Sequence, residues 1–386
     1  MDSTSETGRV KESCRLMISP ASSDMNAPAT LVIRPEKLGD LVVATPVFKA
    51  LKQQYPESPL HLLTDTTFAD VVKNDPHIDR VITVRWTGRN RAQRETWSQI
   101  FQKLKGTKYA RAAILYNNVE AWNWLMLLLG VREVAQLGGT YSAILMRHQM
   151  VLRKGHKDRR HYSEWFLEVA RRIGARVTDT QPRLYVTPEE IAAFKAKFPF
   201  MNDPGRKVII HPFNHGTAPR FSIPSYVRLA DLLTAQPGWR VFITGTAREA
   251  LQFPEVPNAK VDRAWLGTIS VREWVVASKL ADLVISGATG VTHAAAAVGA
   301  NVLAIYCPYI GGHPDVWGPR GPNSVCMVAP ESFCNRDRIG PRESPCTGDN
   351  NCDLSLAISP EQAAAKAVAL LAGHNLNDAG SPDNLS

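Results

Sequence analysis

Short apolar runs alternate with amphipathic helical patterns along most of this chain, and this alternation restricts its fold more than any other feature. The stretch "TLVIR" (30–34) is typical of a buried strand, "DLVVATPVFKALKQQY" (40–55) has apolar residues at helical spacing, and "PLHLLT" (59–64) is the next strand. A second series starts at "KVIIHP" (207–212), after a polar segment that contains proline. Strands separated by helices of about ten to fifteen residues indicate parallel strands in βαβ units.

The length of 386 residues leaves room for two domains of roughly 150 residues each. We expect an α/β protein with two doubly wound, Rossmann-like domains that face a central cleft at the carboxyl ends of their strands. The predicted divisions are a disordered tail (1–28), a first domain (29–178), a linker (179–206), a second domain (207–358), a C-terminal helix (359–373) and a second tail (374–386). Within the second domain, 309–358 is predicted to be largely loop.

The charge balance indicates an anionic partner. Lys and Arg number 45 against 36 Asp and Glu, a net charge of +9 that suits a phosphorylated substrate, an acidic lipid surface or nucleic acid. No zinc-finger or aromatic RNA-binding signature accompanies the basic residues, which argues against nucleic acid. No run approaches the ~18 to 20 apolar residues of a membrane span. The longest, "WNWLMLLLG" (122–130), is expected to pack a helix into the core.

The cysteines and the first residues bear on the cellular compartment. The six Cys form no C-x-x-C pair and are interpreted mainly as reduced thiols of a cytoplasmic protein. Cys334, Cys346 and Cys352 fall close together, but the spacing of the last pair does not suit zinc, so no metal site is predicted. Residues 1–28 lack the apolar region of a secretory signal.

The segment "LVISGATGVTHAAAAVGANVLAIYCP" (283–308) joins a buried strand to a helix of small residues. Backbone N–H groups at such a helix start favour a phosphate, and Thr289 can add a hydroxyl donor. Gly287 and Gly290 would let a ligand approach the backbone, and His293 lies one turn further on. Alternatively, the small residues only allow tight packing and His293 is a core histidine. The segment fits neither the dinucleotide-binding nor the Walker pattern, which disfavours a redox cofactor or an ATPase.

The stretch "RPEKLGD" (34–40) places Asp40 where a loop turns into a helix. An aspartate there is either an N-cap, worth ~1 kcal/mol, or a residue that performs chemistry. On this stretch alone the cap is favoured.

The segment "IIHPFNHGTAPRFSIPSYVRLADLL" (209–233) runs from a strand through a polar loop into a helix. Residues that could face the cleft are His211, Asn214, His215, Thr217 and Arg220. The Arg220 guanidinium could bind a pyrophosphate through paired hydrogen bonds, or it could be an ordinary solvated arginine.

Together these segments resemble glycosyltransferase family 9, the heptosyltransferase family of lipopolysaccharide core synthesis. The family's opening pattern is met by Arg34, Gly39, Asp40, Pro46, Ala50, Leu51, Tyr55 and Pro56. "VVKNDPHIDRVI" (71–82), "TGVTHAAAAVGANVLAIYCP" (289–308) and "CDLSLAISPEQAAAKAVALL" (352–371) are similar to further family segments. The resemblance covers residues 30 to 373.

The resemblance implies a GT-B fold, with the acceptor held by the first domain and a nucleotide sugar, ADP-heptose in this family, by the second. Such enzymes invert the anomeric centre and need no metal or other cofactor. The family's general base falls on Asp40, which with an ordinary pKa near ~3.9 would be ionised at neutral pH. Donor-binding positions carried over from the family, or placed with them, are Thr289, Gly290, His293, Glu249, Arg220, Gly287 and His211. Among these, Glu249 matches the residue that reads the ribose.

One residue departs from the family pattern. Where the family's helix-start motif reads Asp-Thr-Gly, this chain has "ATG", with Ala288 in the Asp place. The departure leaves open a different nucleotide-sugar donor, or a degenerate member that binds a nucleotide or saccharide without transferring it.

The basic residues of the first half suit the acceptor that the resemblance implies, an anionic lipid-linked saccharide. Arg89, Arg91, Arg159, Arg160 and His161 are the predicted acceptor-binding residues, and an ordinary solvated charged face is the alternative. Because such an acceptor is membrane-borne, we expect a cytoplasmic protein with peripheral contact at the inner membrane surface.

Overall fold

The structure is a computed structural model that describes residues 27–86, 93–117, 120–152, 159–214, 218–257, 259–309, 312–334 and 352–373. Residues 1–26 and 374–386, most of the two predicted tails, lie outside this range. In the described part of the chain, no helix is both long enough and apolar enough to cross a bilayer.

The first half of the chain forms a parallel sheet of six strands. Its elements are β1 (Ala29–Arg34), α1 (Leu38–Val43), α2 (Thr45–Gln54), β2 (Leu60–Asp65), β3 (Arg80–Val84), α3 (Trp97–Leu104), β4 (Tyr109–Ile114), α4 (Glu120–Leu128), β5 (Glu133–Leu137), α5 (Tyr141–Leu145), β6 (Gln149–Val151) and α6 (Tyr162–Arg172). The strand order is β3-β2-β1-β4-β5-β6, with all neighbours parallel. This is the doubly wound order in which the strand sequence reverses beside β1, the usual position of a ligand crevice.

The second half repeats the same design. Its elements are α7 (Pro188–Lys197), β7 (Arg206–His211), α8 (Ile223–Thr234), β8 (Trp239–Gly245), α9 (Ala247–Gln252), β9 (Arg263–Leu266), α10 (Val271–Leu280), β10 (Leu283–Gly287), α11 (Gly290–Ala297), β11 (Val302–Tyr306), α12 (Pro314–Trp317), β12 (Ser324–Val328) and α13 (Pro360–Leu371). The order β12-β11-β10-β7-β8-β9 is again parallel throughout and reverses between β7 and β10. Every residue of β1 and of β10 is buried, as expected for strands covered by helices on both faces.

The helix predicted over 40–55 is two helices with a break at Ala44. Pro46 has no backbone N–H, so the Val42 carbonyl loses its normal helical partner. The Thr45 hydroxyl donates to that carbonyl over 2.9 Å instead. The first turn around Asp40 is therefore a separate short element, with its own orientation toward the cleft.

Three other elements differ from the sequence prediction. The range 179–206, predicted as linker, contains α7, whose Phe194 packs edge-on against Trp265 of β9. Strand β12 lies inside 309–358, which was predicted to be largely loop, and pairs with β11. The segment around α4 is only half in the core, because Trp122, Leu125 and Met126 are buried but neighbouring side chains are exposed.

Side-chain contacts fix one domain against the other. The Arg272 guanidinium donates to the Val71 carbonyl over 2.8 Å and pairs with Glu190 at 2.6 Å. Tyr162 of the first domain and Trp317 of the second also stack, with their ring centroids 3.9 Å apart. These contacts hold the carboxyl edges of the two sheets toward each other.

Candidate active site

A cavity of about 590 Å³ lies between the two carboxyl edges. The first domain lines it with Lys37, Leu38, Gly39, Asp40 and Phe68. The second domain contributes, among others, His211, Thr244, Thr246, Glu249, Ser270, Trp274, Ala288, Thr289, Gly290 and His293. This volume falls in the range of small-molecule sites, and the cleft is the one that the alternating sequence pattern predicts.

Two glycines allow the helix starts of the two domains to touch. A Cβ added to Gly290 would lie 2.8 Å from the Gly39 amide nitrogen and 3.0 Å from Leu38 Cβ. A Cβ added to Gly39 would lie 3.0 Å from the His293 ring. Gly290 is therefore required for contact between the domains. The sequence interpretation had explained it by the approach of a ligand.

Asp40 is the third residue of α1 and does not cap it. Lys37 occupies the N-cap position, with φ of 55°, and no side chain caps the helix. The Asp40 carboxylate instead forms an ion pair with the Arg34 guanidinium at 2.6 Å. The cap interpretation is therefore wrong, and Asp40 faces the cavity as a carboxylate held by one cation.

Arg34 is itself held on several sides. Its Nη1 donates to the Leu115 carbonyl over 2.5 Å, and its guanidinium lies 5.3 Å from the centre of the Phe166 ring. Burial raises the pKa of Asp40 above its ordinary value, while the nearby Arg34 and Lys37 cations oppose the rise. The expectation of an ordinary pKa for Asp40 is thus corrected, and the site holds a carboxylate of increased basicity.

The start of α11 forms the facing wall. Thr289 is the N-cap residue in extended conformation, and its side chain makes no capping bond. The Thr292 hydroxyl donates to the Gly287 carbonyl over 2.6 Å, which fixes the end of β10 to the first turn of the helix. Burial lowers the pKa of His293 to about 4, so this histidine is neutral at pH 7. Its Nδ1 is buried without a hydrogen-bond partner among the described residues.

A polar corner follows β7 and β8. The Glu249 carboxylate accepts hydrogen bonds from the Thr246 amide (2.7 Å) and hydroxyl (2.8 Å), in a capping box that opens α9. The Thr244 hydroxyl contacts His211 Nδ1 at 3.0 Å and accepts from the Trp274 indole at 3.1 Å. Glu249 and His211, both predicted as donor-binding residues, therefore lie in the cavity wall with fixed orientations.

The remaining predicted residues lie elsewhere or outside the described residues. Arg220 is exposed and is absent from the described lining of the cavity; its backbone pairs with Cys352 and Leu354. Gly287 is buried at the end of β10 and does not belong to the described lining of the cavity. Arg89 and Arg91, like His215 and Thr217, lie outside the described residues.

Among the predicted acceptor residues, Arg159 and Arg160 are exposed, and the Arg160 guanidinium lies 3.7 Å from the centre of the Trp165 ring. His161 is buried, with Nδ1 bonded to Ser163 and Nε2 donating to the Gly318 carbonyl of the other domain over 2.9 Å. Burial, assisted by Arg320, lowers the pKa of His161 to about 3. This neutral histidine joins the domains and offers no positive charge to an acceptor.

The sequence interpretation missed several residues of the cavity wall. Lys37, Thr244, Thr246, Ser270 and Trp274 all line it. Thr246 and Ser270 were detectable, because each begins a Ser/Thr-x-x-Glu capping box after a strand of the predicted parallel sheet. Thr244 and Trp274 carry no comparable local signal.

Within the described residues, no group of three or more His, Cys, Asp or Glu side chains is arranged to hold a metal ion. Cys334 and Cys352 are buried in the core of the second domain, and Cys346 lies outside the described residues.

Comparison with known proteins identifies the family. The sequence profile of glycosyltransferase family 9 (heptosyltransferase) matches residues 97–341, more than half of the chain, and the chain belongs to this family. It is therefore a glycosyltransferase, as the resemblance predicted.

Solved structures agree in fold. The family 9 glycosyl transferase of Veillonella parvula is 19% identical with a TM-score of 0.72, over 90% of this chain and 98% of its own. The E. coli ADP-heptose lps heptosyltransferase II is 18% identical with a TM-score of 0.69, over 89% of this chain and 98% of its own. The E. coli heptosyltransferase WaaC with ADP is 17% identical with a TM-score of 0.60, over 78% of this chain and 93% of its own. The predicted GT-B fold of two Rossmann-like domains is confirmed.

Proposed function

We propose that this glycosyltransferase transfers heptose from ADP-heptose to an anionic, lipid-linked saccharide of the lipopolysaccharide-core type. The proposed reaction inverts the anomeric carbon and uses no metal ion. The observation that carries the proposal is the position of Asp40, a buried carboxylate that faces the start of α11 across one cavity. The E. coli ADP-heptose lps heptosyltransferase II and the E. coli heptosyltransferase WaaC with ADP share this fold and support this donor.

Asp40 is the proposed general base. Its carboxylate takes the proton of an acceptor hydroxyl while the hydroxyl oxygen forms a bond to the anomeric carbon. The bond from that carbon to the diphosphate oxygen breaks on the opposite face, and the nucleoside diphosphate leaves with the electron pair. A raised pKa makes the ionised carboxylate a stronger base, and Arg34 favours the ionised form.

The α11 start is the proposed diphosphate site. Backbone N–H groups of its first turn, together with the Thr289 hydroxyl, can donate to phosphate oxygens. Neutral His293 lies one turn further on and can contribute a hydrogen bond. Glu249, held by Thr246, is assigned to the ribose. The acceptor is assigned to the side of Lys37, Arg159 and Arg160, with Arg89 and Arg91 as further candidates.

Ala288 favours a second candidate, a different nucleotide-sugar donor. Its methyl group lines the cavity beside Thr289, where a carboxylate would offer charge and hydroxyl contacts to a sugar. Thermal unfolding with a panel of nucleotide sugars separates the two, because the preferred donor stabilises the folded protein by mass action. Ala288→Asp supplies the matched variant: if Ala288 selects the donor, the ranking of donors changes in this variant.

Transfer itself is tested by the release of nucleoside diphosphate from ADP-heptose in the presence of a purified core glycolipid. Release that requires both substrates supports the proposal. Binding of a donor without release, for every donor and acceptor tried, would instead show a degenerate binding protein. Mass spectrometry of glycolipids from a strain that lacks the protein then identifies the acceptor, since the missing sugar defines the linkage.

A further inference from the structure

Two neighbouring helices of the first domain expose large apolar side chains in the same pattern. Helix α4 exposes Trp124, Leu127 and Leu128, and helix α5 exposes Tyr141, Ile144 and Leu145. Both sets have i, i+3, i+4 spacing, which puts the members of each on one helix face. The exposed fractions reach 71% for Leu128, 88% for Tyr141 and 72% for Leu145.

The two helices adjoin one another at their first turns. The Glu120 carboxylate, at the start of α4, accepts hydrogen bonds from the Tyr141 amide (2.8 Å) and the Ser142 amide (3.0 Å) at the start of α5. Leu152 extends the same region, because its Cδ2 would lie 3.1 Å from a Cβ added to Gly139. We call the seven side chains the apolar surface: Trp124, Leu127, Leu128, Tyr141, Ile144, Leu145 and Leu152.

The exposed large apolar side chains are concentrated in this one region and are not scattered over the protein surface. Seven of the eleven large apolar side chains that are exposed in the described residues belong to the apolar surface. Contiguous exposed apolar groups of this kind mark an interaction site in a water-soluble domain. Helix α5 follows β5, and Leu152 follows β6, so the apolar surface adjoins the carboxyl edge of the sheet that carries the cavity.

Basic residues follow both helices closely along the chain. Arg132 lies four residues after Leu128, and Arg147 lies two residues after Leu145. These two arginines and Arg159 are exposed, and none of the three forms an ion pair with another described residue. The acidic residues nearby are engaged, since Glu120 holds α5 and Glu133 pairs with Arg111 at 3.1 Å. Trp and Tyr rings suit the boundary between head groups and acyl chains, and arginines suit lipid phosphates.

We infer that the apolar surface docks on an anionic lipid bilayer. Its leucines and aromatic rings enter the head-group region, and the bordering arginines contact lipid phosphates. A two-fold contact between two copies of the chain fits less well, because it would bring the same arginines toward each other. The inference depends on this surface alone and holds whichever sugar donor the enzyme uses.

The test measures sedimentation of the full chain with vesicles of phosphatidylethanolamine and phosphatidylglycerol, and with vesicles of phosphatidylcholine alone. Binding to the anionic vesicles is expected to weaken on the order of ten-fold or more in the double variant Leu128→Ser/Leu145→Ser, since two leucines lose their burial. The matched control is Leu251→Ser/Leu356→Ser, which removes two exposed leucines of the second domain. Arg147→Gln is expected to weaken binding to the anionic vesicles only.

Equal binding by the two double variants would overturn the inference, as would equal binding of the unmodified chain to both vesicle types. Light scattering without lipid tests the alternative that a second copy of the chain covers the apolar surface. If the unmodified chain is a dimer and Leu128→Ser/Leu145→Ser is a monomer, the apolar surface is a dimer interface and the inference is overturned. Circular dichroism checks that each variant is folded. Nucleoside diphosphate release with a water-soluble acceptor tests the proposed function separately, because it needs no bilayer.

Discussion

Arg34 forms a 2.6 Å ion pair with Asp40, a residue of the cavity lining, and donates a hydrogen bond to the Leu115 carbonyl. Both side chains are largely buried, at 6% and 13% exposed. A buried pair of this kind is costly to split, because the remaining partner becomes an uncompensated charge in a medium of low polarity. The pair therefore fixes the direction of the proposed base, and the Arg34 cation favours its ionised form against the effect of burial.

Replacing Arg34 is expected to shift the pH dependence of transfer. Arg34→Met removes the stronger of the two cations that oppose the effect of burial, so the pKa of Asp40 rises further. The acidic limb of the kcat/KM profile then moves to higher pH. Arg34→Lys keeps the charge and should shift it less. An unchanged limb in Arg34→Met would show that Asp40 does not titrate in this profile.

Asp40→Asn is expected to remove the base and leave the donor site intact. The amide cannot accept the acceptor's proton, so kcat should fall by about 10² to 10⁴-fold, the usual contribution of a general base. Donor binding, measured as thermal stabilisation by the nucleotide sugar, should be nearly unchanged. Asp75→Asn is the control, because Asp75 is also buried but pairs with His77, and neither residue belongs to the described lining of the cavity. Near-normal turnover in Asp40→Asn would exclude Asp40 as the base.

Gly290→Ala is expected to disturb the contact between the domains. The new methyl group would lie 2.8 Å from the Gly39 nitrogen, and relief requires movement of α1 against α11. Overpacking of this kind costs about 1 to 3 kcal/mol, which should appear as a lower midpoint of thermal unfolding and as weaker transfer. Gly106→Ala is the matched control, since a Cβ there meets nothing within 4 Å. Equal midpoints for the two variants would show that the helix starts separate freely.

The fold was predictable because buried parallel strands produce continuous apolar runs that local sequence reveals. Strands β1, β2 and β7 lie within a residue of their predicted positions. Strand β12, "SVCMV", was missed because it is short and lies among Gly, Pro and Asn. The break at Ala44 follows from Pro46, a local signal that the helical periodicity concealed.

The site was predictable only where one short segment carries the signal. Asp40, Thr289, Gly290, His293 and Glu249 belong to such segments, and all five line the cavity. His161 could not be interpreted correctly from local sequence, because a histidine beside two arginines suggests a cationic patch. Its burial and its bond to Gly318 depend on contact between distant parts of the chain.

His161 should also make the stability of the protein depend on pH. Its pKa is about 3 in the folded protein, against ~6.5 for an unperturbed histidine. Below pH ~6.5 the imidazole is therefore protonated in the unfolded chain but stays neutral in the folded protein. As a result, the free energy of unfolding falls by about 1.4 kcal/mol per pH unit until the pH approaches 3. His161→Asn keeps an N-cap acceptor for α6 and removes this proton, so its stability should fall less than that of the unmodified chain between pH 7 and pH 5. Urea unfolding at pH 7 and at pH 5 measures this loss of stability in both proteins, and unfolding at pH 8 provides the reference free energy. Identical losses in the two proteins would mean that the His161 ring is not neutral and buried in the folded state.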